Sequence, residues 1–368
     1  MTECSLETVS RPASHVPDWD SLDLADHTTL RVGGPARRFV VARTPDEVAA
    51  VVGEADDADV PVLVLGGGSN VLVADEGFDG LVVQVGVTGV QGTVSDCGGA
   101  VIKVGAGEVW DDFVAHAVGE GWVGPEALSG IPGSVGATPI QNVGAYGAEV
   151  SHFVYQVRTF DRETKQFRTF ANADCEFAYR DSVFKRHPGR YVVVEVTFQF
   201  RLGHLSAPIR YQELARRLGV EVGDLAEASL VRETVLAIRA GKGMVLDETD
   251  HDTWSAGSFF TNPILDADAA ASLPDGAPRF PAGEGRVKTS AAWLIQHSGF
   301  DKGHRRGSAG LSTKHVLALT NRGGATAAEL VGLAREVRDG VERATGIRLR
   351  PEVNLVGTSL DADPSTSS

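Results

Sequence analysis

Residues 129–147 run SGIPGSVGATPIQNVGAYG, with five glycines, two prolines and few charges. The stretch is too apolar for an exposed linker and too rich in glycine for the interior of a strand or helix. Backbone stripped of side chains and stiffened by proline can lie along a flat ring and offer N–H groups to its heteroatoms. A buried irregular loop between domains would read the same way. A second glycine cluster narrows the choice. The apolar run 61–65 reads as a buried strand that leads into Gly66-Gly67-Gly68-Ser69-Asn70. Consecutive glycines after a strand leave several N–H groups in one concave turn, a nest for phosphate, and Ser69 and Asn70 can add side-chain hydrogen bonds. A tight turn that only reverses the chain is the simpler alternative. The spacing is not the GxGxxG of a Rossmann fold, and no acid stands where its ribose partner should.

Around these loops the chain alternates strand and helix patterns. Segments 38–43, 81–85 and 100–104 read as strands, and 155–160, 166–170 and 191–200 as an antiparallel set. Thr44-Pro45-Asp46-Glu47 opens a helix with a cap, a proline at its first position and acids in its first turn. Helical spacing recurs at 109–120, 211–218, 229–240, 290–297 and 325–344, with strands expected at 315–319 and 353–356. Residues 274–285 are rich in Pro and Gly and read as a loop. A domain boundary is expected within 203–229, and the polar ends, 1–20 and 359–368, read as mobile tails.

Composition excludes several classes of function. With 34 basic and 49 acidic residues the net charge is −15, and no basic stripe suits a nucleic acid. An anionic small molecule would need a local cluster of Lys and Arg against that field. Cys4, Cys97 and Cys175 are odd in number and widely spaced, which predicts neither a disulfide framework nor a zinc site. The N-terminus lacks an apolar signal region and no segment approaches a membrane span, so a cytoplasmic protein is expected.

Several further segments stand in a recognisable order. They are Thr29-Leu30-Arg31-Val32-Gly33-Gly34-Pro35-Ala36, the two glycine loops, and 179–185 (YRDSVFK). They continue through 257–263 (GSFFTNP), 291–295 (AAWLI) and 350–353 (RPEV). Collinear over about residues 22–357, they closely resemble the UDP-N-acetylenolpyruvoylglucosamine reductases, the MurB family, in its type I branch. The resemblance implies an α+β, three-part flavoprotein. A vanillyl-alcohol-oxidase-like FAD-binding region would comprise sub-domains 21–85 (joined by a C-terminal strand at about 346–357) and 86–228, which carries a tyrosine loop. An α+β substrate-binding domain would follow at 229–345. It implies non-covalent FAD, NADPH as hydride donor and the enolpyruvyl ether of UDP-N-acetylglucosamine as substrate. It leaves room for a monovalent cation such as K+, and implies a monomer without nucleic-acid or membrane partners. Two other readings stay open: another flavin oxidase or dehydrogenase of that superfamily, or a flavin- or nucleotide-sugar-binding module without turnover.

The resemblance also distributes roles. FAD contacts fall on Leu65, Gly66, Gly67, Gly68, Ser69 and Asn70, and on Ser129, Gly130, Ile131, Pro132, Gly133, Ser134, Gly136 and Ala137. They continue at Ile140, Gln141, Asn142, Gly144, Ala145 and Tyr146. Ser258 matches the proton donor, Arg180 a cation at the substrate carboxylate, and Glu352 a charge stabiliser or second acid. Read alone, Ser258 is a turn residue, Arg180 a surface partner of Asp181, and Glu352 a solvent-facing carboxylate at a strand start. Tyr179, Arg180, Tyr211, Lys242, Asn262, Lys288 and His297 match the substrate's surroundings. Two places depart from the family pattern. His297 stands where an amide is usual, and 244–256 is longer and more acidic than the usual connection.

Overall fold

The computed structural model describes residues 7–11 and 22–361. The chain forms two compact units, one from 37–67 and 79–240 with the strand Glu7–Arg11, the other from 23–36, 68–78 and 241 onward.

In the first unit, Val62–Leu65 runs parallel to Phe78–Val85, which lies between it and Pro35–Ala42. The connecting helix, Pro45–Asp57, starts as expected: the Thr44 hydroxyl accepts the Glu47 N–H at 3.1 Å. Val48, Val52 and Ala55, spaced four and three apart, form its buried stripe. The larger sheet is antiparallel, in the order Glu7–Arg11, Val90–Ser95, Gly99–Gly105, Tyr191–Leu202, Val154–Asp161, Gln166–Ala171. Its long strand buries Val192, Val194, Val196, Phe198 and Phe200 on one period-two face. The helix Trp110–Gly119 packs there through Phe113, whose ring centre lies 5.2 Å from that of Phe198. The helices Gln212–Leu218 and Ala228–Gly241 share a small core of Leu214, Ala215, Val231, Val235 and Ile238. The boundary expected within 203–229 therefore lies inside this unit.

In the second unit, Asn354–Val356 pairs in parallel with Val71–Val73, so the C-terminal strand does return to an early segment. Ala309–Leu311 and Leu319–Asn321 pair antiparallel beside the helix Ala327–Thr345. That helix begins with a reciprocal Thr326–Glu329 capping box and ends at Gly346, whose φ is +74°. The Asp75 carboxylate accepts the N–H groups of Ala327 and Ala328 at 2.7 and 2.9 Å.

Four expectations fail. The 315–319 strand does not form: the Ser312 hydroxyl accepts the N–H groups of Lys314 and His315, and pairing starts only at Leu319. A side-chain acceptor here outcompetes the β-ladder for the backbone donors. The tail expected from 359 is pinned at Ser359–Asp361, where Leu360 is buried and Arg335, Arg338 and Arg348 hold its carbonyls and carboxylate. Within 1–20, Glu7–Arg11 is a paired edge strand, and the remainder lies outside the described residues. Cys97 is disulfide-bonded while Cys175 is free and buried. Sequence spacing alone does not show which thiols meet in the fold. No helix among the described residues is long and apolar enough to cross a membrane.

Candidate functional site

The two glycine loops of the first unit meet backbone to backbone. A Cβ on Gly66 would lie 2.5 Å from Ser134 Oγ, and one on Gly67 would lie 2.8 Å from Gly133 Cα. Gly133 itself has φ +117°, which L side chains rarely adopt. Two hydrogen bonds fix the second loop to the sheet side of the unit, Trp110 N–H to Gly133 O at 2.9 Å and Val135 N–H to Glu108 O at 2.8 Å. Among the described residues, the N–H groups of Gly67, Gly133 and Ser134 donate to no protein acceptor. Bare backbone walls with unengaged N–H donors fit a cofactor that brings both phosphate oxygens and a flat ring. They suit FAD.

The loop is braced from behind. Gly130 (φ +70°) donates its N–H to Asp111 at 2.6 Å, and Arg232 grips the same carboxylate at 2.6 and 3.0 Å. Burial alone would raise the Asp111 pKa, but Arg232, the Gly130 N–H and the charge of Arg239 hold it below the usual carboxylate range. Arg239 is a second cation here, only 8% exposed, and its own ionisation is lowered by burial against the pull of Tyr146 and Asp111. Sequence reading missed it. The signal was there: Val231, Val235 and Arg239 recur every four residues, which puts an arginine on the apolar stripe of its helix.

The predicted FAD residues are not equivalent. Ser129 is fully buried and donates to Glu126 O at 2.6 Å, a local turn contact. Asn142 is also internal, donating to Glu149 and to Ala178 O and accepting from Ser151 N–H. Beyond it, Gly144 O accepts from Arg180 at 2.6 Å. Asn142, Tyr146 and Arg180 have φ of +45°, +50° and +53°, so three non-glycine residues in one bonded patch hold a costly backbone shape. Such strain concentrates where geometry serves a ligand. The Arg180 guanidinium lies 5.5 Å from the Tyr179 ring centre, and Arg186, not Arg180, takes Asp181 at 2.5 Å. Tyr211, 41% exposed, presents its ring edge to Tyr146 at 5.3 Å.

In the second unit Thr29 takes the Gly68 carbonyl through its N–H at 3.1 Å. Asn70 donates to Glu352 O at 3.2 Å, and the Glu352 N–H reaches Phe259 O at 2.8 Å. Glu352 and the residue after Ser258 are thus hydrogen-bonded neighbours. Ser258 is half-buried, and its hydroxyl has no hydrogen bond among the described residues. Arg180 belongs to the first unit, Ser258 and Glu352 to the second.

Of the substrate residues in that unit, Asn262 accepts the Ala291 N–H at 3.0 Å and so fixes the start of the helix Ala291–His297. Lys288 sits in a short strand opposite Ile264 and Phe280. His297 is exposed, stacked on Trp293 with ring centres 3.6 Å apart and bonded to its carbonyl, so its own helix occupies it. A different histidine carries the marks of a site. His315 has its pKa pushed down to about 4 by burial and by the charges of Lys242 and Lys302. Two lysines against a neutral ring make the local cationic cluster that the −15 background demands.

Fold and site together define a flavoprotein, an FAD-binding oxidoreductase: residues 36–169 match the profile of an FAD-binding domain. Residues 248–356 match the C-terminal domain of UDP-N-acetylenolpyruvoylglucosamine reductase. The chain belongs to the UDP-N-acetylenolpyruvoylglucosamine reductase family. It is 59% identical to the reductase of Cutibacterium acnes over 93% of this chain and 91% of that one. It is 52% identical to that of Streptomyces coelicolor over 96% and 94%. The crystal structure of the Thermus caldophilus reductase superposes with a TM-score of 0.61 at 25% identity, covering 96% of this chain and 99% of that one.

Proposed function

We infer that the chain reduces the enolpyruvyl ether of UDP-N-acetylglucosamine to UDP-N-acetylmuramate, a step of peptidoglycan synthesis, with bound FAD and with NADPH as hydride donor. The observation that carries this is the unengaged Ser258 hydroxyl, one residue before Phe259, whose carbonyl accepts the Glu352 N–H. That pair lies in the part of the chain that matches the reductase C-terminal domain.

The backbone of Gly66, Gly67 and Gly130–Ser134 would hold the cofactor. Bound FAD supplies a hydride, received from NADPH, to the terminal carbon of the enolpyruvyl group. Charge then builds on the substrate carboxylate, and Arg180 meets it with a planar pair of donors. Ser258 gives its proton to the neighbouring carbon and recovers one from water. A hydroxyl is a weak acid, but an enolate carbon is a strong base, so the transfer runs downhill. Glu352 assists at the carboxylate. Lys242, Lys288, Asn262, Tyr179 and Tyr211 bind the UDP-sugar, and the Lys242–His315–Lys302 cluster offers it positive charge. NADPH and nucleotide sugars are cytoplasmic, so the reading puts the reaction there, with one chain as the working unit.

The purified protein should be yellow, and it should turn over NADPH beyond one equivalent of flavin only when the enolpyruvyl UDP-sugar is present. A colourless preparation that takes up no FAD, or NADPH consumption indifferent to that sugar, overturns the reading. The same assay with NADH decides the nucleotide.

A further inference from the structure

The acidic segment before Ser258 has a defined anchor. Asp252 is only 4% exposed, yet its carboxylate accepts from the Thr313 N–H at 2.9 Å, the Thr313 hydroxyl at 2.5 Å and the Arg322 guanidinium. Burial by itself would raise its pKa, but those donors keep it below the usual carboxylate range. Behind it, the Thr253 hydroxyl donates to the carbonyls of Asp247 and Asp250 and accepts the Asp247 N–H, closing the acidic turn on itself. Asp250 pairs with Lys314 at 2.5 Å, so two acids two residues apart grip the 312–322 hairpin.

From Asp252 onward the chain is zipped to that hairpin. The Asn321 N–H takes Trp254 O at 3.0 Å, Ser255 bridges Thr320, and the Phe259 N–H takes Leu317 O at 2.8 Å. The buried Thr29 hydroxyl adds a bond to Ser255 O at 2.7 Å, and the Ser255 hydroxyl accepts the Gly257 N–H at 3.2 Å. Gly257 takes φ +71°, turning the chain so that Ser258 stands between fixed neighbours. Every link is local to one unit, and the ion pair of buried Asp252 with the largely covered Arg322 lies at its head. A buried carboxylate that satisfies three donors is costly unless all are kept, so it fixes register more than it adds stability.

We propose that Asp252 is a positioning residue for Ser258: its bonds to Thr313 and Arg322 set the register in which the 252–259 segment presents the Ser258 hydroxyl. The proposal rests on the proton-donor role given to Ser258 above. It predicts a defect confined to one half of the reaction. NADPH reaches the flavin without using a proton from Ser258, whereas the UDP-sugar cannot be reduced without one.

The test is stopped-flow measurement of flavin bleaching by NADPH and of its reoxidation by the enolpyruvyl UDP-sugar. Wild type, Asp252→Asn, Ser258→Ala and the double variant are compared, with amide exchange followed over 255–259. Asp252→Asn should bleach within twofold of wild type, reoxidise at least tenfold more slowly, and exchange faster at 255–259. The double variant should reoxidise no more slowly than Ser258→Ala alone, because both changes remove the same proton delivery. Thr313→Ser, which keeps the hydroxyl, should stay near wild type. Equal losses in both half-reactions, or additive losses in the double variant, assign Asp252 a general structural role and overturn the proposal. If Ser258→Ala itself reoxidises at the wild-type rate, the proton-donor reading fails. If only Asp252→Asn does so, that reading stands and the positioning role falls. Should Asp252→Asn not fold, Arg322→Lys carries the same comparison.

Discussion

At the scale of single residues, Ser258 and His315 make separable predictions. Ser258→Ala should leave bleaching by NADPH intact and slow reoxidation by the UDP-sugar about 10²–10⁴-fold, the usual loss of one acid–base group. His315 tests the electrostatics of the second unit. Its pKa falls from 6.5 to about 4 on folding, so the unfolded chain takes up the proton first as the solution is acidified. Stability from this site is whole above pH 6.5, drains away between 6.5 and 4, and changes no further below. The shift corresponds to about 3 kcal/mol. Urea unfolding at pH 7 and pH 4.5 should show the drop in wild type and a smaller one in His315→Gln. An equal drop in both would refute the assignment. Apart from the family resemblance that marks Ser258, neither residue stands out in the linear pattern. Ser258 reads as a turn serine, and His315 sits in a stretch that reads as a strand, because burial beside Lys242 and Lys302 is invisible in a linear pattern.

The elements show where side chains are forbidden and where they brace. Gly67→Ala places a methyl 2.8 Å from the Gly133 backbone at an exposed loop tip. The chain should therefore still fold, but the two loops must part, and affinity for FAD should fall at least tenfold by fluorescence titration. Gly136→Ala is harsher, since its Cβ would come within 2.5 Å of Ala106 Cβ inside the core. Overpacking there should cost about 1–3 kcal/mol in chemical unfolding. If Gly67→Ala bound FAD as wild type does, the loops would not be the cradle. Most elements were legible, because the stripes at Pro45–Asp57 and Ala327–Thr345 and the alternation in Tyr191–Leu202 each follow a local period. What failed was local competition, as where the Ser312 hydroxyl captured backbone donors from an expected strand.

For the whole molecule, the cofactor should act as a linkage partner. FAD at 100 times its Kd should stabilise the chain by about 2.7 kcal/mol, read as a rise in thermal midpoint that grows with the logarithm of added FAD. A midpoint indifferent to FAD would place the glycine loops outside any cofactor site. The sequence by itself determined a mixed α and β protein with two glycine loops shaped for a dinucleotide, and the order of its motifs; FAD came from the resemblance of that order to the reductase family. Those features depend on local periodicity and on where glycine is tolerated, both written in neighbouring residues. Only the tertiary structure decided that Gly67 meets Gly133, that Arg239 is a buried cation beside Asp111, and that Glu352 bonds to the residue after Ser258. It also decided that Asp252 is the anchor of the acidic segment, whose carboxylates look alike until one of them is buried among three donors. Long-range pairing and burial set these roles, and no nearest-neighbour pattern encodes which distant backbone a residue will meet.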